Sequence, residues 1–458
     1  MGASISLVGE LAAAIEAECR PADEAREYLT DATAIRGLKG SADVVAFPES
    51  VQSVVACVRW CYEHGLPMTV RGGGTGYAGG AVPIDGGVVV SMERLNEMLE
   101  FDPLLWRIRV QAGVRTAVLH RLARESGLMF PPDPGAAEDS HVGGNIATNA
   151  GGPHAFKYGV TGTWVTGLEA VIPPGEVISV GGAIRKDQSG YDLKGLLIGS
   201  EGTLGIVTSA WLRLHPAPEA VLPILAVYSD VQAGCAALER ILGSGLVPAA
   251  VEYLDGGALE LAAPAYPWQI PAESGFLLLA EADGEEHEAR RLLQELREAM
   301  EEGAREVVTP AGRGEIASLW RWREGISAAA AAKRGGKIGE DIVVPIDRLA
   351  EAIAAVREIG ARNGLEAVTW GHAGDGNVHA NFLVDLEDRS ELARAGAAAQ
   401  EVFALAVSLG GSISGEHGLG WLKRGQLERQ WVSRAIELHA QIKRSFDPKG
   451  LLNPGKKL

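Results

Sequence analysis

The sequence predicts an α+β protein built from more than one domain. Its 458 residues exceed the length that one hydrophobic core usually organises, so two or three domains are expected. Short segments with strand-like alternation are mixed with amphipathic helical segments on both sides of a proline cluster at residues 216–223. We therefore expect one α+β domain over residues 1–215, a second over 216–410, and a C-terminal segment over 411–458.

The first predicted domain is rich in short strands. A helix is expected from Glu49 to Tyr62, because its apolar residues recur at helical spacing, and another from Val118 to Ser126. The strands are expected at residues 68–70, 88–90, 107–110, 165–172 and 205–214. Together these elements indicate a mixed α+β domain over the first 215 residues.

The second predicted domain alternates strands with longer helices. The strands are expected at residues 222–228, 275–281, 342–345 and 366–369. The helices are expected at residues 231–242, 285–302, 348–363 and 390–409. The chain then ends in a segment, residues 446–455, in which prolines and glycines alternate with apolar residues, so we expect an ordered tail.

Composition and charge disfavour several classes of protein. The net charge of −17 argues against a nucleic-acid binder, which would show a basic face. The longest apolar runs are far shorter than the roughly 20 residues of a membrane span, and the first residues lack the pattern of a secretory signal. The cysteines Cys19, Cys57, Cys61 and Cys235 form no cluster-ligand run, so we expect reduced thiols, no iron–sulfur centre and a cytoplasmic protein.

A glycine-rich loop follows the strand predicted at residues 68–70. Gly74, Gly76 and Gly79 match the spacing of a dinucleotide-binding fingerprint, but a strand rather than a helix follows the loop, and no Gly-Lys-Ser/Thr sequence is present. Successive backbone N–H groups in such a strand–loop–strand segment can hold a pyrophosphate. A plain glycine hairpin is the alternative.

Two later segments carry metal-ligand residue types among small residues. Gly371–His379 contains two histidines seven positions apart, and Ser414–Gly418 contains a Glu-His pair. His372, His379 and Glu416 would supply three ligands to a divalent metal and leave a fourth position open, as catalytic sites do. His417 would then be free to move protons. On spacing alone, glycine-rich turns with satisfied polar side chains are an equally good explanation.

Several motifs in a fixed order resemble the flavin-linked 2-hydroxy-acid dehydrogenases of the vanillyl-alcohol-oxidase/para-cresol-methylhydroxylase superfamily. The resemblance runs from about residue 40 to 458. The branch that it points to contains D-lactate dehydrogenases, D-2-hydroxyglutarate dehydrogenases and the flavin subunit of glycolate oxidase. The motifs are residues 70–76, 141–152, 190–193, 199–206, 371–379, 415–418 and 446–455. The implied fold is α+β: a two-part FAD-binding domain over residues 1–215, a substrate-binding cap over 216–410, and a segment, 411–458, returning to the FAD domain.

The resemblance implies which residues contact FAD. They are Arg71, Gly72, Gly73, Gly74, Thr75 and Gly76 in the pyrophosphate loop; Pro132, Ser140, Gly143, Gly144, Asn145 and Thr148 in a second stretch; Tyr158, Gly159, Glu201, Gly202 and Ile206 in a third; and Asn453 in the tail. Some members of the superfamily attach the flavin covalently through a histidine in or near the first loop. Thr75 and its neighbours offer none, so FAD is expected to be non-covalent.

The resemblance also implies the catalytic groups. His372, His379 and Glu416 match the metal ligands, and His417 matches the base. Substrate-binding roles are implied for Arg323, Ser327, Asn381 and Lys337. The family lysine aligns with Lys337 only through a gap, and Gly335 and Gly336 precede it, so a mobile substrate loop is expected there. In the implied reaction the metal polarises the α-hydroxyl, His417 takes its proton, and hydride passes from Cα to flavin N5.

The expected activity is oxidation of a D-2-hydroxy acid, with D-lactate or glycolate favoured, to the 2-oxo acid. Alternatives are D-2-hydroxyglutarate dehydrogenase, an electron-transfer flavin subunit of a larger complex, and a metal-dependent hydrolase without flavin. Electrons must leave to an acceptor outside this chain, such as an iron–sulfur subunit or an electron-transferring flavoprotein. Zinc, manganese or iron would suit the ligand set. A homodimer, and attachment to a membrane through a partner, stay open.

Overall fold

The computed structural model describes residues 2–458 and, in the first helix, side chains from residue 7 onward. The α-helices are α1 (Gly2–Ile15), α2 (Val51–His64), α3 (Thr116–Glu125), α4 (Val142–Thr148), α5 (Ala155–Tyr158), α6 (Thr161–Trp164), α7 (Leu193–Leu197), α8 (Val231–Gly243), α9 (Gly256–Ala262), α10 (Glu286–Glu301), α11 (Arg313–Arg334), α12 (Leu349–Arg362), α13 (Arg389–Ser408), α14 (Leu427–Gln430) and α15 (Ser433–Phe446). Short 3-10 helices occur at Ala22–Glu24, Arg26–Leu29, Ala32–Arg36, Ala263–Ala265, Ile346–Arg348 and Ala373–Asp375.

The strands are short in the first half of the chain and longer in the second. They are β1 (Glu18–Pro21), β2 (Val44–Phe47), β3 (Met68–Arg71), β4 (Val88–Ser91), β5 (Met98–Asp102), β6 (Arg107–Gln111), β7 (Leu128–Met129), β8 (Val165–Ile172), β9 (Glu176–Gly181), β10 (Ile206–Arg213), β11 (His215–Pro216), β12 (Ala220–Tyr228), β13 (Ala250–Asp255), β14 (Phe276–Gly284), β15 (Ala304–Val308), β16 (Gly336–Val343), β17 (Glu366–His372) and β18 (Asn377–Val384).

Most elements expected from hydrophobic periodicity are confirmed within a few residues. The strand expected at residues 342–345 is instead the end of β16, which begins at Gly336. The mobile loop expected around Lys337 is therefore wrong, because this stretch pairs along its length with β18. The longest helix, α11, was not anticipated, since Gly314 and Gly325 lower its helix propensity.

The chain forms two compact units. The first contains residues 1–151, 159–216 and 416–458, and the second contains residues 152–158 and 217–415. In the first unit, a four-stranded sheet has the order β1-β2-β4-β3, and a five-stranded antiparallel sheet has the order β5-β6-β10-β8-β9. Strands β7 and β11 form a small separate pair.

The connection from β3 to β4 confirms the strand–loop–strand arrangement. The two strands are parallel and adjacent, and turns rather than a helix join them. On its other side β3 meets the C-terminal tail, where the Met68 N–H donates to the Leu451 carbonyl at 2.7 Å and the Asn453 N–H donates to the Met68 carbonyl at 2.7 Å. The tail is therefore ordered, as expected, and it extends the sheet beyond the glycine loop.

The second unit is organised by a seven-stranded antiparallel sheet of order β15-β12-β14-β13-β17-β18-β16. Alternate residues of a strand point to opposite faces. One face packs its apolar residues against α9 and α11, with Leu254, Leu279, Val368, Leu319 and Trp322 in the same buried cluster. This apolar packing fixes α11 over the face that also carries two of the predicted metal ligands, His372 and His379.

Two further expectations concern cysteines and membrane spans. Cys57, Cys61 and Cys235 are buried and Cys19 is half-buried, all as free thiols. Over residues 2–458, no helix combines the length and the apolar character that crossing a bilayer would require.

Candidate active site

The glycine loop of the first unit packs against the second predicted FAD-contacting stretch. A Cβ placed on Gly72 would lie 3.4 Å from the Gly144 Cα, and one on Gly73 would overlap the Asp139 carbonyl oxygen. At Gly76 and Gly144, in contrast, a Cβ would have no described atom within 4 Å. The glycine loop and the segment at residues 139–144 thus meet closely. Open space at Gly76 and Gly144 lets the backbone N–H groups of both segments approach a pyrophosphate. The residues present fit FAD.

Polar side chains behind these loops bind one another. The Asn145 Nδ2 donates to the Thr116 hydroxyl at 2.7 Å, and the Ser140 and Thr116 hydroxyls are 2.8 Å apart. The Thr148 hydroxyl donates to the Gly144 carbonyl at 3.1 Å, and the Pro132 carbonyl accepts from His120 at 2.9 Å. The structure therefore brings Ser140, Asn145 and Thr148 together as supports of the second stretch.

The Arg71 side chain turns back into the protein. Its guanidinium donates to the Thr30 carbonyl and lies 5.4 Å from the centre of the Tyr28 ring. Burial lowers the pKa of Arg71, although the nearby carboxylate of Asp31 opposes this effect. The guanidinium thus anchors the start of the loop. The backbone N–H groups of the loop, rather than the Arg71 side chain, are then the groups that can bind a ligand.

Glu201 and Asn453 connect the third predicted stretch to the tail. The Asn453 side chain accepts from the Val70 N–H at 2.9 Å and donates to the Glu201 carbonyl at 2.7 Å. The Glu201 carboxylate accepts from the Leu419 N–H at 2.9 Å and the Gly420 N–H at 2.6 Å. These contacts tie β3 to the segment that follows His417.

The remaining predicted FAD residues occupy varied positions. Gly202 has a φ of 69°, and Ile206 is fully buried at the start of β10. Tyr158 belongs to the second unit, where its hydroxyl donates to the Asp283 carboxylate. Gly159 follows it with a φ of 79°, and Thr75 is half-buried in the loop.

Substituting Gly73 by alanine should remove much of the FAD affinity. The added Cβ would collide with the backbone of Asp139, which cannot move as a flexible side chain could. Such overpacking costs about 1–3 kcal/mol, equivalent to roughly 5- to 150-fold in affinity when the cost falls on the FAD-binding conformation of the loop. The FAD dissociation constant of Gly73→Ala measured by flavin fluorescence checks this expectation. Gly80→Ala is the control, because a Cβ there meets no described atom within 4 Å; equal affinities of the two variants would contradict it.

In the second unit, strand alternation places several polar residues on one face. Glu252 and His372 are direct cross-strand partners on β13 and β17. His379 on β18 pairs with Trp370 of β17 and with Asp341 of β16. Because residues two apart share a face, these side chains lie on the same side as Leu254 and Val368, under α11. Polar residues thus occupy one end of an otherwise apolar face.

The predicted metal ligands form a group. The His372 and His379 rings are 5.4 Å apart between centroids and nearly perpendicular, at 84°. Glu416 follows Gly415 directly in the chain, and one ligand atom from each of the three residues lies within 4.8 Å of the others. Two imidazoles and one carboxylate are a ligand set that catalytic metals accept, and they leave a coordination position free. The donor set therefore fits a divalent metal.

Asp341 organises the approach to Glu416. It is fully buried, and its carboxylate accepts from the Asn377 Nδ2 at 2.6 Å, the Ser414 hydroxyl at 3.0 Å and the Gly415 N–H at 2.9 Å. The His379 Nδ1 lies 4.0 Å from the same carboxylate. One buried anion therefore fixes the backbone next to Glu416 and faces one histidine ligand.

Glu252 is the other buried anion of this face. One carboxylate oxygen lies 2.5 Å from the His372 Nδ1, and the other accepts from Arg323 at 2.5 Å. Burial acts to raise the pKa of Glu252, but its interactions with His372 and Arg323 outweigh burial and hold the pKa below its ordinary value. Glu252 is therefore a carboxylate shared between a predicted metal ligand and a predicted substrate-binding residue.

Arg323 and Ser327 lie one turn apart on α11. Arg323 is buried, and its Nε has no hydrogen-bond partner among the described residues. Ser327 is half-buried. With one nitrogen committed to Glu252, Arg323 keeps other N–H groups for a further acceptor.

Lys337 and Asn381 bind each other on neighbouring strands. The Lys337 ammonium donates to the Asn381 side-chain oxygen at 2.7 Å and lies 5.1 Å from the centre of the Trp370 ring. Gly339 stands between them in β16, and a Cβ there would lie 2.5 Å from the Asn381 oxygen. The structure thus brings together two predicted substrate residues, one of which, Lys337, aligns with the family only through a gap.

His417 lies beside an aromatic ring and a carboxylate. Its ring centroid is 4.9 Å from that of Tyr77, and its Nε2 is 3.7 Å from a Glu416 oxygen. A Cβ on Gly151 would lie 3.1 Å from the other Glu416 oxygen. The Glu416–His417 pair is therefore held against the residues that follow the second FAD-contacting stretch.

Sequence reasoning missed Glu252 and Asp341. Both are charged residues inside strands whose neighbours are buried, a pattern that could have singled them out. Their partners lie 120 and 74 positions away, so spacing along the chain could not identify them.

Comparisons with known proteins identify the family and the fold. Residues 217–457 match the family model described as FAD linked oxidases, C-terminal domain, and residues 42–181 match an FAD binding domain. The chain is 36% identical to the glycolate oxidase subunit GlcD of Bacillus subtilis, over 90% of this chain and 88% of that protein. It is 35% identical to the D-lactate dehydrogenase of Anaerostipes hadrus, over 95% of this chain and 93% of the relative. The structure of p-cresol methylhydroxylase superposes with a TM-score of 0.77 at 17% identity, covering 95% of this chain and 92% of that one, which confirms the predicted fold.

Proposed function

This chain belongs to the FAD-linked oxidases, and we propose that it oxidises a D-2-hydroxy acid to the 2-oxo acid with the help of a divalent metal. As a family member it is an FAD-linked oxidoreductase. The names of the relatives, a glycolate oxidase subunit and a D-lactate dehydrogenase, favour glycolate or D-lactate as the substrate.

The observation that carries the proposal is the group formed by His372, His379 and Glu416. A flavin alone does not require two imidazoles and a carboxylate within 4.8 Å of one another. A metal held by these residues would supply Lewis acidity to the substrate hydroxyl. The same donor set without flavin would suit a hydrolase, but the match to an FAD binding domain removes that alternative.

The chain's own residues then have distinct tasks. His417 takes the hydroxyl proton at an imidazole nitrogen as the Cα–H bond breaks and its electron pair leaves as hydride. Arg323 holds the substrate carboxylate with the N–H groups that Glu252 does not use, because a guanidinium suits two-point carboxylate binding. Lys337 and Asn381 present a joined pair of polar groups to the same end of the substrate. FAD, when bound, supplies the hydride acceptor.

Anaerobic addition of substrate to the metal-loaded protein should bleach its flavin. We expect absorbance near the flavin maximum to fall with D-lactate or glycolate and to stay with L-lactate, since the proton and hydride acceptors have fixed positions. D-2-hydroxyglutarate is the comparison for a longer acid, because extra methylenes change affinity by only about 1–3 kcal/mol each. A yellow protein that none of these acids bleaches would overturn the proposed reaction while leaving the family intact.

A role as the flavin subunit of a larger complex is the second candidate. The relative in Bacillus subtilis is named as a subunit, and the four cysteines of this chain form no cluster-ligand run, so a cluster acceptor would need another chain. An iron–sulfur protein or an electron-transferring flavoprotein has suitable chemistry. After bleaching, slow reoxidation in air and fast reoxidation by an artificial acceptor would favour this role, and fast reoxidation in air would favour an oxidase.

A further inference from the structure

Glu252 is a fully buried carboxylate with no task in the proposed reaction. Its side chain is 0% exposed, and its two oxygens are divided between His372 and Arg323 at 2.5 Å each. Removing a carboxylate from water is costly, and a buried ion pair can often be replaced by apolar residues without loss of stability. Stability alone is therefore a poor explanation of a charge at this position.

The strand register makes the contact with His372 rigid. Glu252 and His372 are cross-strand partners of β13 and β17 near the middle of the seven-stranded sheet. Such a pair is set by backbone hydrogen bonds on both strands and does not depend on a flexible loop. The carboxylate thus holds one ring nitrogen of His372 in a fixed direction.

The choice of nitrogen has a chemical consequence. A neutral imidazole carries one N–H and one lone pair, and the partner of one nitrogen decides the state of the other. With a carboxylate at Nδ1, the proton stays at Nδ1 and the lone pair is presented at Nε2. The other oxygen of the same carboxylate meets Arg323 on α11, so one anion orients two functional groups.

We propose that Glu252 is a positioning residue that aims the His372 lone pair at the metal and the Arg323 guanidinium at the substrate carboxylate. The inference rests on the proposed function, because it assigns Glu252 to the same metal and substrate groups. It predicts that losing the charge at position 252 weakens metal binding and substrate binding together and leaves the FAD unit unaffected.

The test compares Glu252→Gln with Glu281→Gln. Glu281, on the neighbouring strand β14, is equally buried and also contacts a histidine, His154, at 2.8 Å, and a tryptophan, Trp320, at 3.0 Å. The measurements are the Zn²⁺ and Mn²⁺ dissociation constants by chelator competition, the metal content, and the FAD:protein ratio. We expect Glu252→Gln to weaken metal binding by about 10–100-fold, as loss of a histidine's outer partner does elsewhere, with FAD content unchanged. Glu281→Gln should stay within about threefold of the wild type.

A double variant separates positioning from general damage. In a His372→Ala background, Glu252→Gln should have no further effect on metal affinity, because the two residues act through one contact. If Glu252→Gln does not accumulate as folded protein, Glu252→Asp replaces it in the test. The aspartate side chain is one methylene shorter, so its carboxylate lies farther from His372 and should also weaken metal binding.

The outcomes distinguish this inference from the function on which it rests. If the wild-type protein binds metal and Glu252→Gln binds it with equal affinity, the positioning role is overturned and the proposed function stands. A wild-type protein that binds neither Zn²⁺ nor Mn²⁺ would overturn the proposed metal and the inference with it. Equal losses in Glu252→Gln and Glu281→Gln would also refute the specific role of Glu252.

Discussion

Replacement of His417 by alanine should lower the rate of flavin reduction by about 10²–10⁴-fold, the usual contribution of a positioned general base. His417 stands beside Glu416 and Tyr77 and is the one histidine of the motifs at residues 371–379 and 414–418 that the metal group does not use. FAD content should be unchanged, because the loops that fit FAD do not include this side chain. Anaerobic stopped-flow reduction at saturating substrate measures the effect.

Chemical rescue distinguishes a base from a structural ring. Added imidazole should restore part of the rate of His417→Ala, since a small base can enter the space that the side chain vacates. The control is His439→Ala, which removes an exposed histidine from α15. A His417→Ala variant that reduces its flavin within threefold of the wild-type rate would exclude the proposed role.

Replacement of Asp341 by alanine should produce the largest loss of stability. The change removes one acceptor of the buried Asn377 amide, which keeps its bond to the Ile342 carbonyl, and the acceptor of the half-buried Ser414 hydroxyl and of the Gly415 N–H. Each hydrogen bond lost costs about 0.5–1.5 kcal/mol net, so the free energy of unfolding should fall by about 1.5–4.5 kcal/mol. Urea denaturation of the metal-free protein, followed by tryptophan fluorescence, measures this loss without a contribution from metal binding.

The Asp341 variant should also lose metal affinity, because Asp341 fixes the backbone beside Glu416 and faces His379. Asp347→Ala, an exposed aspartate six positions later, is the control and should change stability by no more than about 0.5 kcal/mol. An Asp341→Ala variant as stable as this control would show that water replaces the carboxylate, and the network would then be unimportant for folding.

Local patterns explain what the sequence could predict. The glycine loop at residues 71–76 and the motif at 371–379 each depend on residues close together in the chain, and the strand–loop–strand arrangement of the former is confirmed. Periodicity located most strands and helices for the same reason. The FAD contacts, the metal ligands and the base stay predictions, although the structure brings the three ligand residues together.

Tertiary contacts explain what the sequence could not predict. The two glycines before Lys337 predict a loop, but pairing with β18 extends β16 through that stretch. Gly339 is required in β16 because the Asn381 side chain approaches it closely. Glu252 and Asp341 act through partners on other strands, on α11 and in the segment before Glu416, so only the folded chain reveals them.

The tail that pairs with β3 has a consequence for the order of events during synthesis. The Val70 N–H finds its acceptor on Asn453, 383 positions later, whereas the second unit is continuous over residues 217–415 apart from one short segment. A ribosome therefore releases nearly the whole second unit before the sheet behind the glycine loop can be completed. Because long-range pairing is slow and domains fold as they emerge, the seven-stranded sheet should form first and the cofactor should be captured last. Until then, the unfinished edge of β3 is exposed to the cell's chaperones and proteases.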